Sequence, residues 1–113
     1  MNSGVRPRGE LRHLVAREAA WLLYTGQARE YKTAKEMAAK ALGARILPSN
    51  AEVAVELGRL MEELEGQKAE ERLIKMRAEA LEVMKALEPF RPRLIGSVWR
   101  GLAREDSDID IEV

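Results

Sequence analysis

Apolar residues recur at helical spacing over most of the first 90 residues. Between residues 10 and 25 this spacing predicts a first helix, and Gly26 fits its C-terminal end. The side chains expected to face inward are Leu11, Leu14, Val15, Ala19, Leu22 and Leu23.

Two further helix starts are indicated by capping boxes, in which a Ser or Thr is followed three residues later by Glu. Thr33 with Glu36 predicts a helix that ends at Gly43, and Ser49 with Glu52 predicts the next one. The inward positions expected for the first of these are Met37, Ala38, Ala41 and Leu42; for the second they are Val53, Ala54, Leu57, Leu60, Met61 and Leu64.

The longest helical pattern covers residues 68–87, after Gly66. Its apolar stripe consists of Leu73, Met76, Ala80, Leu81, Met84 and Leu87, and a charged face that we expect to be solvated lies opposite. Pro89 and Pro92 end the pattern. We therefore predict an α+β chain with a mostly helical N-terminal region, residues 1–90, and a different segment, residues 91–113.

The end of the sequence alternates strictly between acidic and apolar residues. Strict alternation predicts a strand over residues 108–113, with Ile109, Ile111 and Val113 packed on a core. Asp108, Asp110 and Glu112 then share the other face, at a spacing of about 6.5 to 7 Å along the strand. Such a face is either a solvated edge or a place where carboxylate oxygens bind Mg²⁺ or Mn²⁺.

A second pattern precedes this strand. Leu94 and Ile95 form a short apolar strand that runs into Gly96 and Ser97, and the residues after them predict a short helix. Glycine lets the backbone turn tightly, and amides at the start of a helix favour an anion. A strand, a short helix and a carboxylate strand would bring a phosphate cradle and metal ligands to one edge.

The combination of Gly96-Ser97, ten intervening residues and Asp108-Ile-Asp110-Ile resembles the signature of the DNA polymerase beta-like nucleotidyltransferase superfamily. It is most similar to the minimal nucleotidyltransferases common in archaea and bacteria, which include antitoxin-like proteins. Arg100-Gly101 and Ser107 also match that form. The resemblance covers residues 94–113 and implies that these residues start a nucleotidyltransferase mixed sheet.

The resemblance implies metal-dependent transfer of a nucleotidyl group from a nucleoside triphosphate to a hydroxyl acceptor, which is RNA, protein or a small molecule. Gly96 and Ser97 would hold the terminal phosphates, and Arg100 would add charge there or form a surface ion pair. Asp108 and Asp110 would be the catalytic carboxylates and would bind Mg²⁺ or Mn²⁺. Members of that family normally need a third carboxylate from a later strand, so the resemblance implies that this 113-residue chain is inactive alone.

Three accounts of the ending remain open: an N-terminal fragment of a longer protein, completion of the sheet by another chain, or a shortened inactive relative. Two neighbours of the motif also have two interpretations each. We expect Trp99 to be packed rather than to stack on a base, and Glu112 to be solvated rather than a further metal ligand.

Composition leaves a second class of function open. The 19 basic and 19 acidic residues cancel, so no whole-chain field favours nucleic acid, although Arg6, Arg8, Arg12 and Arg17 make the N-terminus basic, as a solvated start or a phosphate-contacting arm. Without cysteine, and with His13 as the one histidine, thiolate and histidine metal sites are excluded. The sequence predicts a cytoplasmic protein without a membrane span.

The alternative to an enzyme is a helical interaction protein with a vestigial nucleotidyltransferase motif. Its helices would bind a toxin-like partner, nucleic acid or a second copy of the chain. A lesser form of this alternative treats residues 33–60 as an imperfect helix-turn-helix, with a linker longer than usual and a second helix rich in apolar residues.

Overall fold

A computed structural model of the protein describes residues 7–113, which form mostly helix with one small antiparallel sheet. The elements, in chain order, are α1 Arg8–Tyr24, α2 Tyr31–Ala41, α3 Asn50–Leu64, α4 Gln67–Ala86, a 3-10 helix Glu88–Phe90, β1 Arg93–Ile95, α5 Gly96–Arg100 and β2 Asp110–Glu112. The expected α+β class with a mostly helical N-terminal part is confirmed at this coarse level.

The chain divides into two compact units, Met1–Leu60 and Met61–Val113. The predicted domain boundary near residue 90 lies inside the second unit, between α4 and β1, and it stays a prediction. Arg6, part of the basic N-terminus discussed above, lies outside the described residues.

The first unit is built around α1, which packs along α2. The contact is lined largely by alanines, whose small side chains let two helices approach closely and fill the space between them. Val53 and Leu57 of α3 are fully buried, as are Val15 and Leu23 of α1. The buried apolar set of this unit is Val15, Ala16, Ala19, Ala20, Leu22, Leu23, Ala28, Ala34, Ala38, Ala39, Val53 and Leu57.

The predicted glycine stops are confirmed. Gly26 and Gly43 follow α1 and α2 with φ angles of 76° and 65°, in the left-handed region where a residue without Cβ is not strained. Met37 and Leu42 were expected to face inward, but each is 41% exposed, because α2 packs through its alanines instead.

The two predicted capping boxes have opposite outcomes. The amide of Glu52 donates to Ser49 Oγ and the amide of Ser49 donates to Glu52 Oε1, both at 3.1 Å, which confirms the box that starts α3. The box at Thr33 is wrong, because α2 already begins at Tyr31, and its N-terminal flanking residue Glu30 makes no side-chain cap.

Glu52 also joins α3 to α1. Arg12 donates from Nη2 to Glu52 Oε1 at 2.6 Å and from Nε to both carboxylate oxygens at 3.0 Å. These hydrogen bonds from Arg12, together with the bond from the Ser49 backbone, lower the pKa of Glu52 from 4.5 to about 2. Arg12 is therefore occupied by an ion pair and is not a free phosphate contact.

The second unit begins with the end of α3 and the turn at Gly66, after which α4 runs for 20 residues. The predicted apolar stripe of α4 is only partly covered. Ala80 is 1% exposed, whereas Leu81, expected to face inward, is 53% exposed. The proline-containing 3-10 helix follows, and β1 covers Arg93–Ile95, which includes the short strand predicted at Leu94 and Ile95.

The sheet consists of β1 and β2 in antiparallel pairing. Arg93 pairs with Glu112, Leu94 with Ile111, and Ile95 with Asp110. None of the helices within residues 7–113 combines the length and the apolar character that a membrane crossing requires.

Candidate functional site

The glycine of the Gly-Ser pair lies directly against one of the predicted metal ligands. Gly96 has a φ of 79°, and a Cβ built on it would overlap the carboxylate of Asp110, standing 3.3 Å from both Cβ and Cγ of that residue. Any side chain at position 96 would therefore have to displace Asp110 as well as adopt a strained backbone. The tight approach of Gly96 to Asp110 needs glycine for both reasons.

The strand register explains this approach. Ile95 is the cross-strand partner of Asp110, and directly opposite residues of an antiparallel pair extend to the same face. The chain enters α5 immediately after Ile95, so the first residue of that helix meets the Asp110 side chain. The pair Leu94 and Ile111 extends to the opposite face of the sheet.

The predicted alternation of the carboxylates is present. Asp108, Asp110 and Glu112 are exposed, while Ile109 and Ile111 are partly buried. The strand itself is shorter than predicted, since β2 covers Asp110–Glu112 and Asp108 immediately precedes it in irregular backbone. Val113, expected to pack on a core, is 73% exposed, so that expectation was wrong.

Ser97 and Arg100 lie in the first and last turn of α5, respectively. Ser97 is the second residue of the helix, is partly buried, and its carbonyl accepts from the amide of Leu102 at 2.9 Å. Arg100 is exposed in the last turn, four positions after Gly96. Positions four apart share one helix face, and helical side chains lean toward the N-terminus, so Arg100 is on the face that begins at Gly96.

Glu112 has a partner across the sheet. Arg93 Nη2 lies 3.8 Å from Glu112 Oε1, and both side chains are more than half exposed. This is a loose surface ion pair on the Asp110 face. It favours the interpretation that Glu112 is solvated over the interpretation that it is a further metal ligand.

Trp99 is not packed as predicted, since 64% of it is exposed. Its indole lines one side of an apolar groove of about 520 Å³ together with Arg77, Ala80, Leu81, Met84 and Leu94. Because Leu94 extends to the sheet face opposite Asp110, this groove is not continuous with the carboxylate face through the sheet.

The loop between α5 and β2 is closed by its own hydrogen bonds. The amide of Arg104 donates to Ser107 Oγ at 2.7 Å, and the amide of Ser107 donates to the Arg104 carbonyl at 3.0 Å. Arg104 Nε is buried without a hydrogen bond to any described residue, 3.8 Å from Asp106 Oδ1. This closed turn ends one residue before Asp108 and so sets where the carboxylate segment begins.

Two arginines of α4 contact the site region, and sequence reasoning missed both. Arg77 donates to the carbonyls of Val98 and Trp99, at 3.1 and 2.9 Å. Arg72 donates to the carbonyl of Ala103 at 3.2 Å and pairs with Glu65. The contacts join residues 21 to 31 positions apart, so no local spacing signals them. In the sequence, both residues belong to an ordinary charged helix face.

Asp108 and Asp110 could supply two carboxylate ligands to a divalent cation, but not a complete set of protein ligands. Within residues 7–113, no group of three or more Asp, Glu, His or Cys side chains is arranged to hold a metal ion. Mg²⁺ commonly uses one or two carboxylates and takes its remaining ligands from water and substrate phosphates. Asp108 and Asp110 match that mode in number and ligand type, and the Asp110 carboxylate lies directly against Gly96.

Comparison with known proteins adds no relative: no family model, no curated protein and no solved structure matches this chain.

Proposed function

We propose that residues 94–113 are the start of a metal-dependent nucleotidyltransferase site. The observation that carries the proposal is the contact of Gly96 with the Asp110 carboxylate, at the point where β1 enters α5. A nucleoside triphosphate requires anion-binding groups and metal ligands within one small region, and this contact supports that proximity.

In this proposal each residue has a distinct role. Gly96 and Ser97 hold the terminal phosphates, through backbone amides and the Ser97 hydroxyl, and Arg100 adds positive charge on the same face of α5. Asp108 and Asp110 are the catalytic carboxylates that would hold Mg²⁺ or Mn²⁺, and the metal would supply charge neutralisation for the triphosphate. The acceptor hydroxyl oxygen would bond to the α-phosphorus as the bond from that phosphorus to the leaving pyrophosphate breaks, and the hydroxyl proton would pass to solvent.

The test is equilibrium binding of each of the four ribonucleoside triphosphates with Mg²⁺, on the longest protein that the reading frame encodes. The double variant Asp108→Asn with Asp110→Asn should weaken binding at least about tenfold, because both anionic metal ligands are lost. The control, Glu62→Gln with Glu63→Gln, removes the same charge from two exposed positions of α3. Equal binding by wild type and the Asp108/Asp110 variant would refute the proposal.

A second candidate function, a helical interaction protein, is favoured by the second unit's exposed apolar surface. Ile74 and Leu81, seven positions apart and so on one face of α4, are 62% and 53% exposed, and Phe90 beyond the helix is 66% exposed. Large apolar side chains exposed on one helix face are typical of partner-binding surfaces. The partner would be a toxin-like protein or a second copy of the chain. A protein that stays monomeric at high concentration and binds no partner in a pull-down would count against this candidate.

A further inference from the structure

Helix α5 is too short to hold itself in place. It has five residues, and an isolated helix of that length is far below what is stable in water. Its last carbonyls have no complete set of partners within the helix. The position of α5, and with it that of Gly96 and Ser97, must therefore be fixed by contacts with the rest of the second unit.

One of these contacts is apolar and sits under the middle of the helix. Val98 is fully buried, while its neighbours Trp99 and Arg100 are exposed. At its N-terminal end α5 is held by β1, which leads into it without a break, and by contacts with the sheet. Its C-terminal end needs a contact of its own to set the direction of the helix axis.

Arg77 supplies that contact. Its Nε donates to the Val98 carbonyl at 3.1 Å and its Nη2 donates to the Trp99 carbonyl at 2.9 Å. A guanidinium group is planar and rigid, so two bonds from one group to consecutive carbonyls fix orientation as well as distance. At Gly101, which ends α5, a Cβ would stand 3.7 Å from both Arg77 Nη2 and Leu73 Cδ2, so α4 lies directly beside this end.

The two ends of α5 are mechanically connected. At a rise of about 1.5 Å per residue the whole helix is roughly 7 to 8 Å long, so a change at the Arg77 end is transmitted to Gly96. At Gly96 the fit is tight, because the Asp110 carboxylate occupies the space beside it. A small rotation of α5 would either press Gly96 against Asp110 or open a gap between them.

We propose that Arg77 is a positioning residue that holds Gly96 and Ser97 in register with Asp110 by binding the C-terminal carbonyls of α5. This inference rests on the proposed nucleotide site and adds to it a residue of α4 on which nucleotide binding depends although its hydrogen bonds go to the carbonyls of Val98 and Trp99.

The experiment compares three single variants in the longest protein that the reading frame encodes. Arg77→Gln removes the forked donor, Arg77→Lys keeps the charge but not the fork, and Lys75→Gln is a control that removes one positive charge from an exposed position of the same helix. Two quantities are measured for each: amide hydrogen exchange over residues 96–103, and the Kd for Mg²⁺ with each ribonucleoside triphosphate.

We expect Arg77→Gln to raise exchange over residues 96–103 and to weaken nucleotide binding about tenfold, with Arg77→Lys intermediate, because bonds from a charged donor are lost. Lys75→Gln should match wild type in both. If Arg77→Gln does not fold, Arg77→Lys carries the test, and wild-type Kd values in it would overturn the proposal.

The outcomes separate this inference from the proposed function. Faster exchange with an unchanged Kd in Arg77→Gln, or equal weakening of binding by Lys75→Gln, would overturn the positioning role of Arg77. The proposed nucleotide site would still stand in that case if binding depends on Asp108 and Asp110. Binding that is insensitive to Asp108 and Asp110 would refute the nucleotide site itself, and the positioning role with it.

Discussion

Among the described residues, the unit Met1–Leu60 buries twelve apolar side chains, whereas the unit Met61–Val113 buries four and leaves more large apolar side chains exposed than it buries. In the second unit the buried apolar side chains among the described residues are Met61, Ala80, Val98 and Ala103. Its exposed large apolar side chains are Leu64, Ile74, Leu81, Val83, Phe90, Trp99 and Val113. The candidate site therefore belongs to the part of the chain with the smaller apolar core.

Hydrogen bonds from charged side chains hold more of the backbone in place in the second unit than in the first. Arg72 and Arg77 reach from α4 to three backbone carbonyls around α5 and the loop after it. The first unit is stabilised mainly by packing of buried alanines, valines and leucines, and the ion pair of Arg12 with Glu52 adds to this packing. The comparison teaches that substitutions of the same type should have different effects in the two units.

The largest difference between the two units is expected when a leucine in each is replaced by alanine. Leu57→Ala, in the first unit, should lower the free energy of unfolding by about 2 to 5 kcal/mol, because a fully buried side chain leaves a cavity. Leu81→Ala, on the 53% exposed position of α4, should lower it by less than about 1 kcal/mol. Urea denaturation of both variants measures the two values, and similar losses would break the contrast between the units.

A matched pair of glycines sharpens the account of the site. Gly96 and Gly101 both have a φ of 79°, so alanine at either should cost roughly 1 to 2 kcal/mol in backbone strain. At Gly96 the new Cβ also overlaps the Asp110 carboxylate, whereas at Gly101 the nearest atoms are 3.7 Å away. Because Asp110 is an exposed side chain that can change its rotamer, we expect Gly96→Ala to lose only about 1 kcal/mol more than Gly101→Ala, while displacing the Asp110 carboxylate.

Both glycine variants are measured by denaturation, together with the Kd for Mg²⁺ and nucleoside triphosphate. Gly96→Ala should weaken binding more than Gly101→Ala, because the displaced side chain is a proposed metal ligand. Equal effects of the two substitutions on stability and on Kd would show that the contact between Gly96 and Asp110 has no special role.

The smallest effect is expected on the stability of the first unit when the pH is lowered. The pKa of Glu52 is lowered from 4.5 to about 2 by the Arg12 hydrogen bonds and the Ser49 cap. Because the folded-state pKa is the lower one, the stabilisation is full above about pH 4.5 and is lost as the pH falls toward 2.

Glu52→Gln should therefore flatten the fall of the unfolding temperature between pH 4.5 and 2. Glu36→Gln, at an exposed position of α2, serves as the control and should leave that fall unchanged. If Glu52→Gln reproduces the wild-type pH dependence, the ion pair with Arg12 does not stabilise the unit in solution.

Local patterns in the sequence predicted most element ends and the alternating exposure of the carboxylate segment. The confirmed features all depend on residues that are close together in the chain. They are the helix ends at Gly26 and Gly43, the capping box at Ser49, the short strand before Gly96 and the alternating exposure around Asp110. These features are set by backbone geometry and by capping, which act over a few residues.

What local patterns missed depends on distant contacts. The box at Thr33 was overridden because α2 starts earlier and buries Ala34, and the exposure of Leu81 and Trp99 depends on which surfaces the second unit covers. Arg72 and Arg77 are indistinguishable in sequence from solvated charges, since their carbonyl partners lie 21 to 31 residues away.

The most direct test of the account asks which amides lie near a metal–nucleotide complex. Mn²⁺ with a nucleoside triphosphate is added to isotope-labelled protein, and paramagnetic broadening of each amide signal is recorded. The account predicts early broadening at Gly96, Ser97 and residues 108–112, and its loss in the Asp108→Asn, Asp110→Asn variant. Broadening that centres elsewhere, or that is unchanged in this variant, would contradict the proposed meeting of phosphate cradle and carboxylates.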